Sequence, residues 1–210
     1  MSSALQPSIF GRIVAGGDVE TWCIDLCRKW IGTYLAEVER QHGITAGTYA
    51  RPKSYVRTIS FDKWPEDHLP GLMLISTGIA RPPRKEGDGT VTADWLMGLG
   101  VLCSAKTQQA SHDMAQLLTA AVRTLFLQKP SLDGHADGVA WLDERHNDLA
   151  YDDQRSLSSG QAIFQVTVHG VAVANAGPSY PLAPLDPDTT PWPDWPTVQT
   201  VESHTQPKED

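Results

Sequence analysis

The sequence predicts an α+β fold, in which a single mainly antiparallel β-sheet has two α-helices packed on one face. Three observations lead there. Two segments, about residues 18–42 and 108–128, repeat apolar residues at three- and four-residue steps, the period of a helix with one buried stripe. Shorter runs rich in β-branched and aromatic residues lie between and after them, and two of these, Leu72–Ile79 and Asp94–Cys103, are close enough in sequence to form a hairpin. Beyond Pro178 the periodic apolar content stops, and prolines recur as far as Pro207. The expected organisation is a flexible N-terminal arm over residues 1–17, an α+β domain over 18–177 and a Pro-rich extended tail over 178–210.

The elements follow in order. Asp18 is the expected N-cap of the first helix, with Thr21 as a second candidate. Val19, Trp22, Cys23, Leu26, Cys27, Trp30 and Tyr34 make its stripe, and Asp25, Arg28, Lys29, Glu37 and Glu39 fall mostly off it. Gly43 reads as the stop. Tyr55–Phe61 alternates as a short strand. In the second hairpin strand Trp95, Met97, Leu99, Val101 and Cys103 share a face, and Gly98 and Gly100 on the other leave room for close approach of another backbone or helix. Between the hairpin strands, Arg81–Thr90 is charged, Pro-rich and longer than a tight turn, and it contains the reversal signal Asp88-Gly89, so it is expected to project as an arm. The second helix carries Met114, Leu117, Leu118, Ala121, Val122 and Leu125 inward, starts near Ser111 as N-cap and stops at Pro130. Val139–Glu144 and Ala162–His169 supply two further strands. In the last, Phe164, Val166 and Val168 oppose Gln165, Thr167 and His169, which makes one side of the sheet wetter, and Gly170 is expected to form a bulge that swaps faces before Val171 and Val173.

The totals narrow the classes. A chain of 210 residues sustains one well-buried core. Its formal net charge of −8 does not match a general nucleic-acid binder, which needs basic surface. No apolar run reaches the ~18 residues of a membrane span, and the N-terminus lacks the charged-then-apolar pattern of a secretory signal. Three cysteines are too few for a disulfide framework. Cys23 and Cys27, one helical turn apart, have Cβ atoms ~6 Å from each other, beyond the ~3.5–4.5 Å of a disulfide, and they read as core thiols of a protein folded in a reducing cytoplasm.

Candidate chemistry is sparse. Glu144, His146 and Asp148 alternate along a strand end and could converge on a metal, but neighbours two apart on a strand stand ~6.5 Å from each other, so a solvated strand end is the expected reading. Cys23, Cys27 and His42 fall short of the four ligands of structural zinc. Ser158-Ser159-Gly160 and the scattered histidines form no recognisable nucleophile–base arrangement. No catalytic residue, metal site or cofactor is expected. Two features point to contacts with a partner instead. Arg81, Arg84 and Lys85, beside Glu86 and Asp88, form a basic cluster on the hairpin arm. Trp192 and Trp195 place large aromatics in the Pro-rich tail, where such side chains either anchor to a partner or fold back on their own domain.

The stretches Tyr34–Arg40, Arg51–Tyr55, Phe61–Asp67, Leu69-Pro70, Pro82–Thr90, Gln128–Leu132 and Trp141–Glu144 resemble the tail terminator proteins of long-tailed, siphovirus-type phages, notably those of actinobacterial hosts. The likeness spans roughly residues 18–178. It implies a structural virion protein without catalytic residues, a small α/β protomer that closes into a hexameric ring. Such a ring caps the finished tail tube, ends its polymerisation and gives the head a docking surface at the tail–neck junction. The implied partners are further copies of the chain, the tail tube protein and a head-side neck or stopper protein. Phage DNA passes through the lumen without specific binding, and a weakly repulsive acidic wall would not hold that polyanion. Arg81, Arg84, Lys85 and Asp88, with Trp192 and Trp195, are the expected assembly interface. The alternatives are another neck component, such as a stopper or adaptor, and, from other classes, a small hydrolase or a nucleic-acid-binding module.

Overall fold

A computed structural model of the chain describes residues 12–57, 66–87, 90–149 and 156–172. The elements in order are β1 (Arg12–Ile13), α1 (Gly16–Gln41), β2 (Ser54–Val56), a 3-10 turn at Glu66–His68, β3 (Gly71–Lys85), β4 (Val91–Ala105), α2 (Gln108–Gln128), a second 3-10 turn at Leu132–Gly134, β5 (Gly138–Leu149), β6 (Ser156–Val168) and β7 (Val171–Ala172). Five strands form one mixed sheet in the order β2-β3-β4-β6-β5, in which only the β2–β3 pairing is parallel. Both helices pack on one of its faces, as the single stripes on α1 and α2 require.

The helices start and stop for local reasons. In α1 the N-cap is Ala15, and Asp18, expected at that position, sits three residues later and accepts a hydrogen bond from the Ala15 amide at 2.8 Å. The carboxylate thus satisfies an otherwise orphaned donor from inside the first turn. The helix ends with Gly43 at φ +70°, the left-handed stop that its sequence position predicts. For α2 the N-cap is Thr107, whose hydroxyl accepts from the Ala110 amide at 3.2 Å, so Ser111 is not the cap. Ser111 is instead buried, and its hydroxyl donates to the Gln108 carbonyl. Glu39 departs furthest from expectation. It is 1 % exposed, and its carboxylate accepts the Gly47 and Tyr49 amides at 2.7 Å each, fixing the loop after α1.

The core lies between the helices and the odd-numbered face of β4. Trp95, Met97, Leu99, Val101 and Cys103 are all buried there, opposite Val166, Phe164 and Ala162 of β6 and Leu72 and Leu74 of β3. Phe126, Trp141 and Phe164 join α2, β5 and β6 in an aromatic trio with centroids 4.9–6.4 Å apart. Cys23, Cys27 and Cys103 are buried free thiols, and burial pushes the Cys103 thiol up to about 12. At Gly160 α2 packs close on the sheet, and a Cβ there would stand 2.1 Å from the Thr119 hydroxyl. The close approach expected at Gly98 is milder, made by a side chain of β3: a Cβ there would stand 3.3 Å from Ile75 Cγ2, still tighter than ordinary contact.

Several boundaries differ from the sequence reading. Part of the expected N-terminal arm is ordered, since Arg12 and Ile13 pair in parallel with Val171 and Ala172. Gly170, at φ +68°, breaks the chain between β6 and β7 and makes a turn rather than a face-swapping bulge. The strand expected over Tyr55–Phe61 is Ser54–Val56 and has ended at Arg57, residues 58–61 lie outside the described residues, and so does the Pro-rich tail. The expected projecting loop is mostly strand. Arg81, Arg84 and Lys85 pair with Asp94, Thr92 and Val91, and Ala93 and Asp94 pair on their other side with Val168 and Thr167. The charged segment is thus the margin of the sheet, and the connection proper shrinks to residues 86–90.

Candidate assembly surface

The sheet face turned away from the helices is built by alternation. Even-numbered residues of β4 and odd-numbered residues of β6 point to it, joined by Met73, Ile75, Arg81 and Arg84 of β3. One end is apolar and closed: Leu69 packs on Leu102 and Leu157. In the middle, Ile75 and Leu96 are half-buried and Ile163 is 42 % exposed. On β5, a register shift between Trp141 and Asp143 leaves Leu142 54 % exposed.

The other end is charged and ordered around Asp94. This carboxylate is 2 % exposed. One oxygen receives Arg81 Nε at 2.5 Å and Arg84 Nη1 at 3.2 Å, and the other receives the Thr167 hydroxyl at 2.7 Å. Burial on its own pushes the Asp94 carboxyl up, but the Thr167 hydroxyl and the two guanidinium groups outweigh it and hold it below its ordinary value. Beside it, Thr92 and Thr90 hydroxyls lie 2.9 Å from the two ring nitrogens of His169. The physical result is a pair of arginines, each about half exposed, whose inner ends are tethered to a buried anion. Tethering removes side-chain freedom that a contact would otherwise have to freeze.

Of the residues expected at an interface, Arg81 and Arg84 are brought together on Asp94, whereas Lys85 is an exposed residue at the outer end of β3, opposite Val91. Asp88, Trp192 and Trp195 lie outside the described residues. Sequence reasoning missed Asp94, Thr167 and His169 as members of this site. The available signal was an aspartate at the head of an otherwise apolar strand, within hairpin reach of two arginines.

A second polar cluster joins α2 to β5. Glu144 and His146 are not a solvated strand end, because they point toward the helix layer and are only 16 % and 21 % exposed, whereas Asp148 at the strand's outer end is half exposed, as expected. Arg123 Nη1 donates to Glu144 at 2.7 Å, and Trp141 Nε1 to the same oxygen at 3.1 Å. Asp148 lies 2.8 Å from His112 Nδ1 and accepts the Ser158 hydroxyl at 2.9 Å. Those two contacts hold the Asp148 carboxyl below its ordinary range, His112 foremost. Here the carboxylate stands between hydroxyl and imidazole, whereas nucleophilic activation places the imidazole against the hydroxyl. The arrangement ties three elements together. Among the described residues no group of three or more histidine, cysteine, aspartate or glutamate side chains is disposed to hold a metal ion.

A scan of protein-family models finds no match to this chain. A search of curated proteins likewise finds no matching relative.

Proposed function

We infer that this chain is a structural virion protein of a long-tailed phage, the subunit of the ring that caps the tail tube, ends its polymerisation and receives the head. The observation that carries this reading is the outer sheet face, where two half-exposed arginines tethered to buried Asp94 stand on the same surface as exposed Ile163. Ordered arginine next to apolar side chains is the composition of a protein–protein contact. The resemblance of Pro82–Thr90 and Trp141–Glu144 to the terminator family supports the same reading, since those stretches belong to the hairpin margin and to the opposite edge strand. Two different margins of one subunit can meet head-to-tail, and such contacts close into a ring when the rotation per step divides a full turn. The partners are then further copies of the chain, the tube and a head-side neck protein, with DNA passing through.

Light scattering coupled to size exclusion, followed by negative-stain imaging in the presence of tail tubes, tests the reading. Closed rings at tube ends are expected. A phage lacking the protein should make overlong, headless tails. Tails of normal length that simply fail to join heads would identify a stopper instead, and a protein that stays monomeric and ignores tubes would reject both.

A further inference from the structure

We propose that the cavity between α1 and the segment leading into β2 is a binding site for phosphate-class oxyanions. The cavity, about 280 Å³, is lined by Arg28, Lys29, Thr33, Arg51 and Tyr55, with Gly32 in its wall. A chain of net charge −8 here gathers three cationic side chains around one small space. The site is independent of the Asp94 surface and of the ring.

Arg51 is exposed, and its side chain reaches back over α1. Its guanidinium lies against α1 at Gly32, where a Cβ would stand 2.6 Å from Cζ, 2.7 Å from Nε and 2.9 Å from Nη1. A glycine in the interior of a 26-residue helix weakens that helix, and its use here is to let the planar group lie flat on the backbone. The chain beyond Arg51 is fixed by buried Pro52, by the Lys53 amide donating to the Pro70 carbonyl at 2.7 Å and by the Ser54 hydroxyl donating to the His68 carbonyl at 2.8 Å. Among the described residues, no carboxylate lies within ion-pair distance of Arg51. Arg28 and Lys29 hold Asp25 at 3.3 Å and Asp133 at 2.7 Å, but their side chains are more than half exposed and can exchange those partners for a ligand.

The chemistry selects the ligand. The Arg51 guanidinium offers paired N–H donors to two oxygens of one oxyanion, and the two further exposed cations beside it favour a multiply charged group over a single carboxylate. The Tyr55 ring already carries Arg28 at 5.3 Å from its centroid, so that face offers no stacking platform for a base. The phosphate itself is therefore what is recognised, whether free or as the ester of a polynucleotide backbone.

Calorimetric titration of the full chain with pyrophosphate at low salt tests this, alongside Arg51→Gln and Gly32→Ala. Binding is expected for the native chain, with each variant weakening it roughly tenfold or more. Gly32→Ala should not lower the melting temperature, because alanine favours the helix while displacing Arg51. A short single-stranded oligonucleotide and a poly-glutamate peptide separate the sources. Oligonucleotide binding with the same sensitivity to both variants assigns the site to polynucleotide phosphate, and binding of pyrophosphate alone assigns it to small phosphates. Absence of pyrophosphate binding at millimolar concentration, binding unchanged in both variants, or tighter binding of the peptide would overturn the assignment.

Discussion

Two acidic side chains show how much a single residue decides in this molecule. Glu39 sits on a helix whose exposed side is charged, and its position in the sequence reads as solvent-facing. It is nevertheless buried with both oxygens bonded to backbone amides of the following loop. Hydrogen bonds to a charged acceptor are worth ~1.5–3 kcal/mol each, so Glu39→Ala should destabilise the chain by about 2–4 kcal/mol in urea unfolding. Glu39→Gln, which keeps one acceptor oxygen, should recover part of that. Asp94 is legible only once the register is known, because its burial comes from strands on both sides and its counter-charges from a segment that reads as loop. Its carboxyl is held below its ordinary 3.8, so its contribution to stability is complete above about pH 4 and is lost as pH falls through the lowered value. Asp94→Asn should therefore be less stable than the native chain at neutral pH, and the gap should narrow in acid, as melting temperatures across that range will show. The same tether means that removing Arg81 and Arg84 together leaves a buried anion with no counter-charge and only the Thr167 hydroxyl bonded to it. That double variant should lose ~3–5 kcal/mol, so it tests the fold as much as the contact surface.

At the scale of the element, periodicity carried most of the information. The stripes of both helices and the alternation of β4 and β6 follow from residue spacing alone, since 3.6- and 2-residue repeats are imposed by the backbone. Less legible were features in which one element answers another. Arg81–Lys85 contains Pro82-Pro83 and reads as loop, but it continues β3 because prolines are tolerated on an unpaired margin and β4 supplies partners on the other side. Caps were displaced by one turn at both helices because several residues near each start could serve, and only geometry chooses among them. Gly160 looks like any strand glycine, although the buried Thr119 hydroxyl occupies the place its side chain would take. Gly160→Ala should force α2 outward and cost ~1–3 kcal/mol. Thr119→Ala in the same chain should restore much of the loss, a coupling that a double-mutant cycle measures directly.

At the scale of the whole molecule, one sheet face is committed to the helices and the other to Asp94, its arginines and a partly exposed apolar centre. Ile163→Asp places a charge at that centre without touching the core, so it should change stability by less than ~0.5 kcal/mol, and, on the function proposed above, abolish self-association in light scattering and capping of tubes in negative stain. Association that survives this change would remove the face from consideration. The Ser76–Lys85 margin has a further consequence. Its Ser76 amide is already taken by Glu20 at 2.7 Å, prolines 82 and 83 have no amide hydrogen to offer, and three irregularities interrupt its register with β4. Such a margin is a poor template for another strand. Crowded copies of the chain would gain little by zipping backbone to backbone along it, and this side of the protein resists growth into amyloid-like ribbons.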